Sequence, residues 1–196
     1  MQNAKINRTF AMDRLIRQHF HTEEKFDAYC RTRELLREYN ALPYRSLARK
    51  DEIIRSLLGE TGEFFRIEAP FCCDFGQNIF LGENVFINFN CTILDGAKVT
   101  IGSDTIIAPN VQICATGHPT DPKARHIPDG GGTRLAISAK PVSIGSNCWL
   151  GAGCIVTPGV SIGDNCTIGA GSVVVKDIPP DSLAVGSPAR VVKSFQ

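Results

Sequence analysis

The sequence of 196 residues is short of several things. It has no apolar run near the roughly 20 residues that a membrane-spanning helix needs, so no segment is expected in a bilayer. It has almost no charge imbalance, with a net +1. That excludes the basic footprint expected of a nucleic-acid binder or a protein held on an anionic membrane. The opening "MQNAKINRTFAMDRLIRQHF" has no continuous apolar core of the kind a secretory signal carries, which points to a cytoplasmic protein. There is no glycine-rich phosphate loop after a strand pattern, so no nucleotide fold of that type is expected. Histidine is scarce: His19, His21, His118 and His126 are the full set.

Cysteine is not scarce, but its pattern is uninformative for redox or zinc chemistry. None of the eight cysteines forms a C-x-x-C pair. Cys91, Cys148, Cys154 and Cys166 share one position of an internal repeat where other small apolar residues also occur. They read as buried thiols acting as small hydrophobes, with no disulfide and no metal expected.

The repeat itself has a period of six. Leu81, Ile87 and Ile93 are followed, after a two-residue slip, by Ile101, Ile107 and Ile113. The beat stops at His118 and resumes with Ile144, Leu150, Val156, Ile162, Ile168 and Val174. Four places after each of the first eleven stands a small or β-branched residue: Val85, Cys91, Ala97, Thr105, Val111, Gly117, Cys148, Cys154, Val160, Cys166 and Ser172. Gly, Asn and Asp crowd the places between, as in "IGSNCW" and "IGDNCT". Period six is neither helical nor a plain strand alternation. It fits sides of about four extended residues joined by corners, where Gly, Asn and Asp tolerate positive φ. Three such sides close a triangular coil of about 18 residues, and stacked coils pair as parallel strands about 4.8 Å apart. Roughly five coils would make a prism about 25 Å tall.

The flanks differ. Residues 8 to about 59 look helical. "FDAYCRTRELLREYN" sets Phe26, Tyr29, Leu35, Leu36 and Tyr39 near one stripe, "LPYRS" breaks it, and "LARKDEIIRSLLGETG" gives a second amphipathic helix ended by Gly59 or Gly62. Such helices can cap the open end of a solenoid or share in substrate binding. The expected organisation is a helical segment over 1–62, a lead-in over 63–80, the solenoid over 81–178 with an inserted loop 118–143, and a tail over 179–196.

The hexads, "CDFGQNIFLGENVFINFN", "GHPTDP" and "KDIPPDSLAVGSPARVV" together resemble the hexapeptide-repeat acetyltransferases, and in particular their maltose/galactoside O-acetyltransferase branch. The resemblance covers nearly the whole chain. It implies a left-handed parallel β-helix, a homotrimer with sites between subunits, and transfer of acetyl from acetyl-CoA to a hydroxyl. An alcohol needs a base to take its proton as it attacks a thioester, and histidine suits that task at neutral pH. His118, at the break in the beat, matches the family's catalytic histidine, and the loop leaving there could wall a site.

Further roles are implied by matching position. Asp74 and Asn88 match residues that contact the acceptor. Asp95, in "ILDG", matches a residue near the histidine and is grouped with the acceptor side, though a turn role suits it equally. Trp149, Ala152 and Ala170 match positions beside the arm of CoA, and Lys176, Arg190 and Lys193 are the candidate cations for its phosphates. One departure concerns the acceptor. The place of an acidic contact in the family's N-terminal helices falls on Phe20, and Glu23, Glu24 or Asp27 could serve only after a gap. A sugar or related polyol is the expected acceptor, with an antibiotic or an amino acid such as serine as the alternative. A zinc enzyme on the same prism would need three histidine ligands, which the coils do not supply. A non-catalytic scaffold would have no need of the "GHP" break.

Overall fold

The computed structural model describes residues 22–129 and 132–195. His19, Phe20 and His21, and the expected helical residues before 22, lie outside them. Two helices come first. Helix α1 runs Glu23–Ala41 and starts where the Thr22 hydroxyl accepts the Lys25 N–H at 3.2 Å. It stops where Leu42, forced into an extended conformation ahead of Pro43, cannot continue the turn. Helix α2 spans Leu47–Leu57 and buries Ile53, Ile54 and Leu57. It ends before the two glycines expected to stop it. Gly59 serves a different need: a Cβ there would sit 2.3 Å from the Gln77 carbonyl oxygen of the first coil.

The rest is a left-handed parallel β-helix of about six turns. Its first face stacks Phe65–Ile67, Val85–Ile87, Ile106–Ile107, Trp149–Leu150, Thr167–Ile168 and Ser182–Gly186 in parallel. The second face stacks Phe71–Cys73, Cys91–Leu94, Gln112–Cys114, Ile155–Val156 and Val173–Val174. The third stacks Ile79–Leu81, Val99–Ile101, Val142–Ile144 and Ser161–Ile162. The register is that of the sequence beat. Ile87 pairs with Ile107, Ile107 with Leu150 and Leu150 with Ile168; the other faces align Ile93 with Ile113 and Ile101 with Ile144. All twelve aliphatic repeat residues are buried. Each therefore removes its side chain from water at about 1.5–3 kcal/mol, before entropy is counted.

The small inward position behaves as expected except at Ala97 and Gly117, which are only half-buried. Val99 and Val142, both buried, take the inward places there, because extra residues are inserted before each. The cysteines of this column are free, and their thiols donate to carbonyls: Cys91 to Ala108 at 3.2 Å, Cys148 to Gly163 at 3.1 Å and Cys154 to Gly169 at 3.0 Å. Burial pushes the Cys148 thiol up to about 11.

The solenoid begins earlier than the sequence reading placed it. Residues 63–80 do not merely lead in. They form a full coil whose strands pair with Val85–Ile87, Cys91–Leu94 and Val99–Ile101. The helices close its open end. The Asn40 amide donates to the Phe71 carbonyl and accepts the Phe71 N–H, both at 2.9 Å, as a neighbouring strand would. The Thr32 hydroxyl donates to the Phe75 carbonyl at 2.8 Å, and the Tyr39 hydroxyl donates to that of Ile67. At the other end the expected tail is built in. Ala184 lies over Ile168 in the core, and Ala189–Ser194 folds back antiparallel on Ser182–Gly186.

Candidate active site

A triangular prism has three corners, and here they carry different work. The corner between the third and first faces is regular. Asn84, Asp104, Asn147, Asn165 and Asp181 occupy it with φ of 54–60°. Their side chains bond coil to coil: Asn84 to Asp104 at 3.0 Å, Asn147 to Asn165 at 2.9 Å and Asn165 to Asp181 at 2.8 Å. Three of the four steps along this column are bridged by its own side chains.

The corner between the first and second faces carries Asn88 and, two coils and three coils above it, Ala152 and Ala170. Gly171 N–H donates to the Ala152 carbonyl at 2.8 Å, so the two alanines lie on adjacent coils, both exposed. Asn88 is half-buried, and its side-chain oxygen accepts the Phe89 N–H at 2.8 Å. Trp149 stands just before this corner on the first face, aligned with Ile106, and is 53% exposed. Together with Phe89 and Ile106, both exposed, it leaves an apolar strip beside the small alanines. Arg190 and Lys193 belong to the final strand of the same face.

The corner between the second and third faces is the irregular one. Eight residues, not six, separate Cys73 from Leu81 and Ile93 from Ile101, and the inserted loop leaves at the same corner one coil higher. Asp95 lies within it and is completely buried. One carboxylate oxygen accepts the N–H groups of Asp74 and Phe75, each at 2.9 Å, and the other that of Asn78 at 3.4 Å. Asn78 returns a bond to the Asp95 carbonyl at 2.7 Å. Burial raises the Asp95 carboxyl above the ordinary carboxylate range, against the opposing pull of these N–H bonds. The contact with an acceptor expected of Asp95 does not fit this geometry. A side chain with no exposed surface holds the corner that presents Asp74. Asp74 itself is partly buried, with the Arg33 guanidinium of α1 3.4 Å away and stacked 4.4 Å over Tyr29.

His118 stands two coils above Asp74 at this corner. Thr116–Gly117 pairs antiparallel with Ser138–Ala139, so the loop leaves and returns through a two-stranded neck. The His118 side chain emerges past that neck, exposed, with Nδ1 2.8 Å from the Ala136 carbonyl oxygen. A carbonyl can only accept, so Nδ1 carries the hydrogen, and in the neutral ring Nε2 then keeps its lone pair. Beyond the ring lies a cavity of about 330 Å³ lined by His118, Pro119, Thr120, Arg125, His126 and Leu135. Lys176 also belongs to this corner, on the fifth coil between Val173–Val174 and Ile178. Among the described residues no cluster of metal-ligating side chains occurs.

Within one chain the sequence-predicted residues therefore fall into two sets. Asp74, His118 and Lys176 share the irregular corner. Asn88, Trp149, Ala152, Ala170, Arg190 and Lys193 belong to the first face and the corner that follows it. Two arginines lie beside these residues and drew no attention in the sequence: Arg33, against Asp74, and Arg125, in the wall of the cavity at His118. The signal for Arg125 was its place inside "GHPTDPKAR", seven residues after the histidine.

Comparison with known proteins finds relatives over most of the chain. Residues 13–62 match the maltose acetyltransferase hexapeptide capping motif, and residues 141–176 match the hexapeptide repeat of succinyl-transferase. The galactoside O-acetyltransferase of Escherichia coli (strain K12) is 39% identical over 84% of this chain and 78% of its own. A solved maltose O-acetyltransferase from Clostridium difficile 630 is 40% identical, with a TM-score of 0.84 over 91% of each chain. A galactoside acetyltransferase solved in complex with coenzyme A is 37% identical, with a TM-score of 0.82 over 89% of this chain and 84% of its own.

Proposed function

The chain belongs to the hexapeptide-repeat acetyltransferases, in the maltose/galactoside O-acetyltransferase branch, and is an acetyl-CoA-dependent O-acetyltransferase; we propose that it acetylates a hydroxyl of a sugar or related small molecule with His118 as general base. The observation that carries the reading is the His118 ring. Its Nδ1–H is held by the Ala136 carbonyl, which leaves Nε2 as the free acceptor on an exposed edge. The acceptor hydroxyl gives its proton to Nε2 as its oxygen attacks the thioester carbonyl. The tetrahedral adduct collapses to the acetyl ester and expels the CoA thiolate, and the imidazolium returns the proton to that sulfur. The Ala136 carbonyl supports the imidazolium charge while it lasts. Base catalysis of this kind supplies about 10²- to 10⁴-fold.

The split of the predicted residues between two corners supports a site shared by two subunits. In a closed threefold assembly, the irregular corner of one prism can face the first corner of the next. Asp74, His118 and Lys176 then come from one subunit, and Asn88, Trp149, Ala152, Ala170, Arg190 and Lys193 from its neighbour. On this reading acetyl-CoA lies in the groove between prisms. Its pantetheine arm passes Trp149 and the two alanines, where no bulky side chain obstructs the backbone, and its phosphates meet the cations near the top. Asp74, held by Asp95, and Asn88 hold the acceptor. The exposed Trp149 and its apolar strip are covered by this assembly. The unpaired buried thiols suit a cytoplasmic setting.

The test is release of thiol from acetyl-CoA over a panel of acceptors, including maltose, simple galactosides, serine and a hydroxylated antibiotic. Turnover of pyranosides above the others is the expected result. Good turnover of serine or the antibiotic with none of any sugar removes the sugar assignment and keeps the acetyltransferase.

A further inference from the structure

The His118 ring is held by a closed circuit of hydrogen bonds in which one side chain does the joining. From His118 the chain passes through Pro119 and Thr120 to a short 3-10 turn, Pro122–Ala124, started where the Asp121 carboxylate accepts the Lys123 N–H at 2.9 Å. At the end of that turn the Arg125 guanidinium reaches back. Its Nε donates to the Pro119 carbonyl at 3.0 Å and its Nη2 to that of Thr120 at 3.1 Å. The backbone of the same residue continues the circuit, since the Arg125 carbonyl accepts the Ala136 N–H at 2.8 Å. The Ala136 carbonyl then holds His118 Nδ1–H at 2.8 Å. The pair Arg125 and Ala136 extends a ladder that begins with His126 opposite Leu135. Every acceptor in the circuit is a backbone carbonyl, and apart from the His118 ring itself the side chain that donates to them is that of Arg125.

We propose that Arg125 is a positioning residue for the general base: it ties the backbone on both sides of the loop so that the Ala136 carbonyl meets His118 Nδ1 and keeps Nε2 free. The inference rests on the role of His118 proposed above. Arg125 is suited to it because a planar guanidinium offers several donors in a fixed fork, so two successive carbonyls can be held at once. Lysine can reach only one of them in a fixed direction. Without the fork, nothing in the side chains of the 118–125 segment fixes residues 119 and 120 against the hairpin, and the Ala136 carbonyl can drift from the ring. The neutral imidazole is then free to carry its hydrogen on Nε2, the form that cannot take a proton. A displacement of about 1 Å at a reacting group costs up to about a hundredfold.

The experiment measures three quantities on Arg125→Ala and Arg125→Lys. The first is turnover of acetyl-CoA with the best acceptor of the panel, split into kcat and KM. The second is the ¹⁵N spectrum of the His118 ring, which reports which nitrogen carries the hydrogen. The third is the thermal midpoint. Arg125→Ala is expected to lower kcat about ten- to a hundredfold with KM for acetyl-CoA within about twofold and the midpoint unchanged. Its His118 signals should move from the Nδ1–H pattern toward the Nε2–H pattern, and Arg125→Lys should recover part of both losses. The proposal is overturned if kcat stays within about twofold of wild type, if the ring pattern does not change, or if the main effect is a raised KM for acetyl-CoA, which would make Arg125 a cofactor contact. Failure of the base assignment is separate: His118→Ala with full turnover removes the base, while the ring pattern in Arg125→Ala still decides whether Arg125 holds the ring.

Discussion

The two corners that bound the third face are built on the same repeat and end in different states. The one leading to the first face carries an Asn or Asp at positive φ in coil after coil, and these side chains spend their polar groups on each other. The one arriving from the second face breaks the count in three successive coils, by two residues, by two residues, and by the loop that carries His118. There Asp74 and His118 are turned outward, each held from behind by a backbone or carboxylate contact. A corner that repeats completes its own hydrogen bonds and offers nothing to a ligand. A corner that departs from the repeat needs special support, and that support fixes the side chains left facing solvent.

The sharpest way to separate the two corners is to remove the outward group of each. His118→Ala should fold with an unchanged midpoint and lose about 10²- to 10⁴-fold in kcat, equivalent to about 2.7–5.5 kcal/mol of transition-state stabilisation. Acetyl-CoA affinity should hardly move. Turnover within threefold of wild type would leave the irregular corner without its catalytic group.

Next in size is Asp95. Asp95→Ala strands the N–H groups of Asp74, Phe75 and Asn78 under the corner, at a cost of about 3 kcal/mol in stability, and it should also loosen Asp74 and raise the acceptor KM. Chemical denaturation and steady-state kinetics on one preparation check both effects. A stability loss with an unchanged acceptor KM would show that the corner's support and its outward face are independent. The pH dependence has a definite sign. Because burial raises the native carboxyl above its unfolded value, its contribution is fullest below that unfolded value and is lost as pH rises through the native one. Wild type should therefore lose stability relative to Asp95→Asn as pH rises above the ordinary aspartate value.

The regular corner should respond in stability alone. Asn147→Ala keeps φ at 54°, which alanine tolerates poorly, and removes the amide that donates to Asn165. A loss of about 1–2 kcal/mol is expected with kcat and both KM values unchanged. A clear fall in kcat would contradict the division of labour between the corners.

How much of this was legible follows the same division. The aliphatic column and the Gly, Asn and Asp corners were readable because each residue's role repeats every six places, so twelve weak signals add. The first coil escaped because Cys73 stands where an aliphatic was sought, although the spacing Ile67, Cys73, Leu81 is that of Ile87, Ile93, Ile101. Ala97 and Gly117 were assigned inward places that Val99 and Val142 hold, since a count of six does not see an insertion. His118 was found as the point where the beat fails. Asp95 and Arg125 were out of reach in their true roles for one reason: both bond to backbone groups, and a sequence does not show which N–H or C=O groups will converge on a side chain.

The smallest predicted effect bears on the corner between these two. Asn88 follows the first face, with one side-chain atom already used by the Phe89 N–H, and its amide nitrogen is the group left to meet a ligand. In one chain it sits a full face away from His118. If the two meet across a subunit boundary, Asn88→Ala should raise the acceptor KM or lower kcat by about 2- to 13-fold, the worth of one hydrogen bond to a neutral hydroxyl at about 0.5–1.5 kcal/mol. KM for acetyl-CoA should stay near wild type. Lys176→Ala should give the reverse, a higher KM for acetyl-CoA with the acceptor KM kept. The comparison is sharpened by diluting the wild-type enzyme while following its size by light scattering. Activity that falls in step with dissociation means that neither corner suffices alone. A monomer with full activity would require Asn88 and His118 to act on one substrate across the width of a single face, and the shared site would have to be abandoned.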